Sequence, residues 1–139
     1  MKESCEIALD YVKANAEKYD INPEMFDKID IHVHVPEGAV PKDGPSAGVA
    51  ITCAIISALS KKPVSGDIAM TGEVTLRGNA LPIGGLREKS LAAMRSGIKK
   101  IIIPDGNKHN VNELPKEITE KLKIVYMKNV DDAVKVIFK

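Results

Sequence analysis

The chain has 139 residues, of which 44% are hydrophobic and 28% charged, and its formal net charge is +1. The near balance of 20 basic and 19 acidic residues argues against a nucleic-acid-binding or basic membrane-binding surface. No segment reaches the ~18 apolar residues of a membrane span, and the start lacks the apolar run of a signal peptide. The two cysteines, Cys5 and Cys53, are isolated, which favours a reducing compartment. We therefore expect a soluble, cytoplasmic protein that binds neither nucleic acid nor membrane.

Two patterns mark the N-terminal third. Small and apolar residues recur at helical spacing, which predicts an amphipathic helix; they are Cys5, Ala8, Leu9, Val12, Ala16 and Tyr19. Beyond the break at Pro23, apolar and polar residues alternate through IDIHVHV, residues 29–35. This alternation predicts a half-buried strand whose polar side carries His32 and His34.

The central region contains two predicted helices. From Ala47 to Leu59 the side chains are apolar nearly all round, which predicts a helix that is buried on most sides. IAMTGEVTL predicts a short strand, RGNALPIGG an irregular connection, and LREKSLAAMRSG a helix that ends at Gly97.

The C-terminal part begins with KKIIIP, which predicts a short buried strand. A short helix, a strand near Ile124 to Met127 and a final helix with Asn129 as its N-cap are predicted to follow. Because helices and strands alternate after Ser46, we predict a single α+β (α/β-like) domain, residues 1–139, with helices packed around a mixed sheet.

Ser46 lies where PKDGP, rich in charge, glycine and proline, gives way to the apolar helix. A serine in that position most often caps a helix. The first N–H groups of a helix also lack partners within the helix, so a serine beside them has donors nearby for an oxyanion. The stretch by itself leaves capping and nucleophilic catalysis both open.

A nucleophilic serine needs a base, and the chain offers histidines and a lysine. His32 and His34 lie on the polar side of a predicted strand, His109 lies in a polar turn, and none has an evident orienting acid, so a Ser–His–Asp triad is weakly supported. A metal site on the two strand histidines lacks a third ligand. Lys89 instead falls on the small, apolar stripe of its helix, with Leu86, Ser90 and Ala93. A lysine there either extends its ammonium outward or is desolvated, and a desolvated, neutral lysine can activate a serine.

Two segments carry a resemblance to a known protein family: HVHVPEGAVPKDGPSAG and MTGEVTLRGNALPIGGLREKSLAAMRSGIKKIIIP. The chain closely resembles the proteolytic domain of Lon, the ATP-dependent serine protease, over essentially its whole length. The resemblance implies that Ser46 is the nucleophile and Lys89 the general base of a Ser–Lys dyad. It also implies that Thr71 orients the lysine, that backbone N–H groups around Ser46 and Ala47 support the oxyanion, and that the loop of Asp43 can cover the site.

The resemblance has implications for a longer parent. No P-loop motif GxxxxGK[ST] is present, so this domain is expected to use no cofactor. The family implies an upstream AAA+ ATPase that uses ATP and Mg, an opening β-rich part of the proteolytic domain, and a homohexamer that degrades unfolded or damaged proteins.

Two alternatives stay open at this point. A Lon-like module could bind or assemble without proteolysis, although such modules lose the serine or the lysine that are both present here. A nucleotide- or phosphate-binding domain built on PIGG or DGPSAG is a weaker alternative, because neither stretch has the strand–GxGxxG–helix context.

Overall fold

A computed structural model of this chain describes residues 1–36 and 44–138. Within these ranges the helices are α1 (Lys2–Ala14), α2 (Gly48–Ser60), α3 (Leu86–Arg95), α4 (Lys108–Val111), α5 (Lys116–Lys121) and α6 (Val130–Ile137). The strands are β1 (Ile68–Met70), β2 (Glu73–Val74), β3 (Ala80–Leu81), β4 (Lys100–Pro104) and β5 (Lys123–Met127). Short 3₁₀ turns span Ala16–Tyr19, Pro23–Asp27 and Asp105–Asn107.

The strands form two small sheets. β4 lies between β1 and β5 in a parallel sheet, with Ile102 opposite Met70 and Val125, while β2 and β3 form a separate antiparallel hairpin. Parallel and antiparallel pairing are thus both present, with helices packed around them. The predicted α+β class is confirmed, and the two kinds of pairing are divided between two sheets.

The parallel sheet separates two apolar clusters, because successive side chains of a strand point to opposite faces. Ile102 of β4 belongs to the first cluster, together with buried residues of α1, α2 and α6. Ile101 and Ile103 belong to the second cluster, with Leu86 and Ala93 of α3 and buried residues around α5. We call these the α2 layer and the α3 layer.

The helical predictions agree with the structure. In the α1 region Ala8, Val12, Ala16 and Tyr19 of the predicted stripe are buried, and α2 buries seven of its thirteen residues. Gly97 follows the end of α3 with φ +78°. The side chain of Asn129 accepts a hydrogen bond from the Asp132 N–H and caps α6, as predicted.

Two local predictions are wrong. Residues 29–35 form no strand within the described part of the chain, and Ile29 and Val33 are 37% and 38% exposed. A strand needs a hydrogen-bonded neighbour as well as alternating side chains, and no strand pairs with this segment within the described ranges. The connection after Arg77 is also more regular than predicted, because it contains β3.

None of the helices in the two described ranges combines the length and apolarity needed to traverse a lipid bilayer.

Candidate active site

Three side chains from three different elements meet at one end of the α2 helix. Ser46 lies two residues before the start of α2, Thr71 immediately follows β1, and Lys89 lies in the first turn of α3. The α3 residues that are buried are Leu86, Ser90 and Ala93, which confirms the predicted stripe. Lys89 lies beside this stripe and is half-buried.

Backbone hydrogen bonds hold Ser46 against the end of β1. The Gly72 N–H donates to the Ser46 carbonyl over 2.9 Å, and the Val49 N–H donates to the Gly72 carbonyl over 3.0 Å. Thr71 is tied to the parallel sheet through its own N–H, which donates to the Ile102 carbonyl over 3.1 Å. The backbone of Ser46 is therefore held in place relative to the parallel sheet, through Gly72 and Thr71.

The side chains of this group are within reach of one another. Lys89 Nζ lies 2.8 Å from Ser46 Oγ, which is a full hydrogen bond. Nζ also lies 3.4 Å from Thr71 Oγ1, and the Thr71 hydroxyl donates to the Ser46 carbonyl at 3.3 Å. These two contacts are long, and a small shift of Lys89 is enough to strengthen or break the first of them.

The helix-capping interpretation of Ser46 is wrong. Ala47 occupies the N-cap position of α2, and no side chain of the described residues makes a capping hydrogen bond there. The Ser46 hydroxyl faces Lys89 instead. In this position the serine is available for proton transfer to the lysine and is not used to satisfy the start of α2.

Burial lowers the pKa of Lys89. The cause is desolvation, because an ammonium loses favourable interactions with water when it is partly buried. A larger fraction of the lysine is then neutral at a given pH, and a neutral amine 2.8 Å from a hydroxyl is able to accept its proton.

The backbone donors near Ser46 are fewer than the sequence suggests. The N–H groups of Gly48 and Val49 already donate to the carbonyls of Pro45 and Gly72. The N–H groups of Ser46 and Ala47 make no backbone hydrogen bond to the part of the chain that the structure describes. These two N–H groups are the ones at hand for an oxyanion.

Gly48 allows α2 to approach the β2–β3 hairpin. A Cβ at this position would lie 2.9 Å from the backbone nitrogen of Val74 and 2.8 Å from its Cγ1. We expect Gly48→Ala to lower the free energy of unfolding by about 1–3 kcal/mol, because the backbone must shift to relieve the overlap. Urea unfolding measures this change.

The matched control is Gly66→Ala, since a Cβ at Gly66 meets nothing within 4 Å. Its stability should stay within about 0.5 kcal/mol of the original chain. Equal stability of the two variants would contradict the tight approach at Gly48.

The other predicted residues stand apart from this group. Asp43 lies outside the described residues. His32, His34 and His109 are exposed, and within the described ranges no hydrogen bond joins any of them to Ser46 or Lys89. In the same ranges no cluster of three or more histidine, cysteine or acidic side chains is arranged to hold a metal ion.

Sequence reasoning missed two residues that shape the site. Gly72 makes backbone hydrogen bonds to Ser46 and Val49, on either side of the α2 start. A glycine in the middle of a predicted strand often marks a close approach of another backbone, and this signal could have found it. Asn107 makes side-chain hydrogen bonds to the segment before α3. Its predicted place in a polar turn gave no sign of burial.

Comparison with known proteins adds to this geometry. A model of the family described as the Lon protease (S16) C-terminal proteolytic domain matches residues 1–139. A "Lon protease" of Mycoplasma mycoides subsp. mycoides SC is 61% identical over 139 residues, which is all of this chain and 18% of the relative. A "Lon protease" of Desulfatibacillum aliphaticivorans is 56% identical over 132 residues, which is 95% of this chain and 16% of the relative. The chain thus spans less than a fifth of either relative.

Proposed function

Because this chain belongs to the family of the Lon protease C-terminal proteolytic domain, we propose that it is a serine endopeptidase domain in which Ser46 is the nucleophile and Lys89 the general base. The observation that carries the proposal is the 2.8 Å separation of Lys89 Nζ and Ser46 Oγ. The lowered pKa of the partly desolvated lysine supports it, since the base must be neutral before the reaction.

Acylation follows from these roles. The Ser46 hydroxyl gives its proton to neutral Lys89 Nζ while Oγ bonds to the peptide carbonyl carbon, and the carbonyl π electrons move to its oxygen. The N–H groups of Ser46 and Ala47 stabilise that oxyanion. When the intermediate collapses, the C–N bond breaks and Lys89 returns the proton to the leaving amine, which leaves an ester on Ser46.

Deacylation uses the same base. Lys89 accepts a proton from a water molecule as the water oxygen attacks the ester carbonyl. Collapse of the second intermediate breaks the bond to Oγ, and the proton on Lys89 passes to Ser46. In this scheme Thr71 orients Nζ between turnovers, and the supporting observation is its 3.4 Å separation from Nζ. The loop of Asp43 is proposed to cover and uncover the site.

We further propose the setting in which the domain works. It would form one proteolytic domain, residues 1–139, of a longer parent protein whose opening β-rich part and AAA+ ATPase precede it. The parent would assemble as a cytoplasmic homohexamer and degrade unfolded or damaged proteins with ATP and Mg. The share of each relative that the chain covers, 18% and 16%, agrees with such an arrangement.

The pH dependence of peptide cleavage tests the proposal. Because only neutral Lys89 accepts the Ser46 proton, kcat/KM should rise tenfold per pH unit below the pKa of Lys89 and level off above it. Since that pKa is lowered, the plateau should begin below the pH range in which an ordinary lysine titrates, ~10.4. The measurement uses a fluorogenic peptide and the parent protein with ATP.

Two results would contradict this assignment. One is a profile that levels off only where free lysine titrates. The other is the absence of peptide cleavage at every pH in a folded, ATP-hydrolysing parent, which would favour a binding or assembly module that lacks proteolysis.

A further inference from the structure

The start of α3, which carries Lys89, is not secured by a capping side chain. Its N-cap residue is Gly85, with φ +71° and no side-chain hydrogen bond to the helix. The preceding residues 82–84 belong to no helix or strand. Together with the buried Leu86 side chain, the groups that hold this connection position the first turn of α3, and with it the Nζ of Lys89.

The Asn107 side chain binds this connection from the neighbouring turn. Its Oδ1 accepts a hydrogen bond from the Ile83 N–H over 2.9 Å, and its Nδ2 donates to the Ile83 carbonyl over 2.8 Å. Nδ2 also donates to Asn110 Oδ1 over 2.9 Å, so the amide has partners for its acceptor and for its donors. Asn107 is 1% exposed, and such buried amide bonds are costly to leave unmade.

The turn that carries Asn107 is itself docked closely on the same connection. A Cβ at Gly106 would lie 2.5 Å from Pro82 Cγ. The turn directly follows β4, whose Ile102 carbonyl accepts the hydrogen bond from the Thr71 N–H. The middle of β4 thus binds Thr71, and the turn at the end of β4 binds the connection that leads into α3.

We propose that Asn107 is a positioning residue that keeps Lys89 within hydrogen-bond distance of Ser46 by binding both backbone polar groups of Ile83. Asn107 acts through the connection and touches neither member of the pair. The inference rests on the proposed function only insofar as Lys89 serves as a base, because the position of Lys89 is measurable without any activity.

Asn107→Ala tests the proposal in two ways. In the parent protein, kcat for a fluorogenic peptide should fall on the order of 10- to 100-fold with little change in KM, since misplacing a catalytic group by about 1 Å has effects of that size. In the 139-residue chain, NMR titration of the Lys89 side chain should show a midpoint that moves up towards that of free lysine, because a released α3 start exposes the amine to water.

Two control variants separate positioning from general instability. Asn110→Ala removes one outer hydrogen bond and leaves both bonds to Ile83, so its Lys89 midpoint should match the original chain. Val12→Ala removes buried volume from the α2 layer, at a position far in sequence from Lys89. It should lower the urea concentration at the unfolding midpoint without changing the titration midpoint of Lys89.

Asn107→Asp provides a second test with the shape and the acceptor retained. It loses the donor to the Ile83 carbonyl, and its Lys89 midpoint should move in the same direction as in Asn107→Ala.

An unchanged Lys89 titration in both folded variants overturns the proposal, as does failure of both to fold while Val12→Ala folds. Peptide cleavage that is absent from the unaltered parent contradicts the proposed function and leaves the NMR comparison as the test of positioning.

Discussion

Peptide cleavage by the parent protein should fall on the order of 10⁴-fold or more when Ser46 is replaced by alanine, which is the size of loss expected when a nucleophile is removed. The fold should survive, because the Ser46 backbone keeps its hydrogen bond from Gly72 and the side chain does not cap α2. Cleavage is measured with a fluorogenic peptide and with an unfolded protein, and the fold by urea unfolding.

Ser96→Ala serves as the matched control. Ser96 is exposed, follows the end of α3, and makes no side-chain hydrogen bond within the described ranges. Its activity should equal that of the original protein. Acid quenching during turnover of a peptide ester should also trap an acyl group on Ser46, located by mass spectrometry. Residual cleavage near the original rate in Ser46→Ala would remove Ser46 from the mechanism.

Replacing Lys89 should also cause a large loss of peptide cleavage. Lys89→Gln removes the base, and we expect kcat to fall on the order of 10²- to 10⁴-fold. Lys89→Arg keeps a positive charge, but its guanidinium stays protonated and cannot accept the Ser46 proton, so it should be equally impaired. The two variants together separate the need for a base from the need for a charge.

Arg87→Gln is the control for the lysine variants. Arg87 is exposed in the same helix turn, and no side-chain hydrogen bond joins it to Ser46 or Thr71. It should retain full peptide cleavage. Activity in Lys89→Arg with an unchanged pH profile would show that the charge at this position, and not proton transfer, is what the reaction needs.

Periodicity was enough to predict several of the helices and strands on which the fold is built. The helical stripe of α1, the nearly all-apolar α2 and the apolar run of β4 each determine their own secondary structure, because burial of one face or of all faces leaves a local pattern. Residues 29–35 show what such a pattern lacks. Alternation records an extended backbone with two unlike faces, but it carries no information about which chain segment pairs with it.

The pairing of Ser46 with Lys89 was predicted in two steps. The position of Lys89 on a core-facing stripe marked it as a candidate base, and the family resemblance joined it to Ser46 across 43 residues. Local reasoning favoured capping for Ser46, and this was wrong because Ala47 is the N-cap. Asn107 escaped prediction for a related reason: its burial depends on contact with Ile83, 24 residues away.

The division of the pair between two layers has a mechanical consequence. Ser46 leads into the α2 layer and Lys89 projects from the α3 layer, so the bond between them joins side chains from the two faces of the parallel sheet. A displacement of about 1 Å that moves Nζ away from Oγ stretches the 2.8 Å separation beyond hydrogen-bond length. The Lys89–Ser46 contact therefore responds to small displacements of either layer, and under the proposed function the same displacement would switch cleavage.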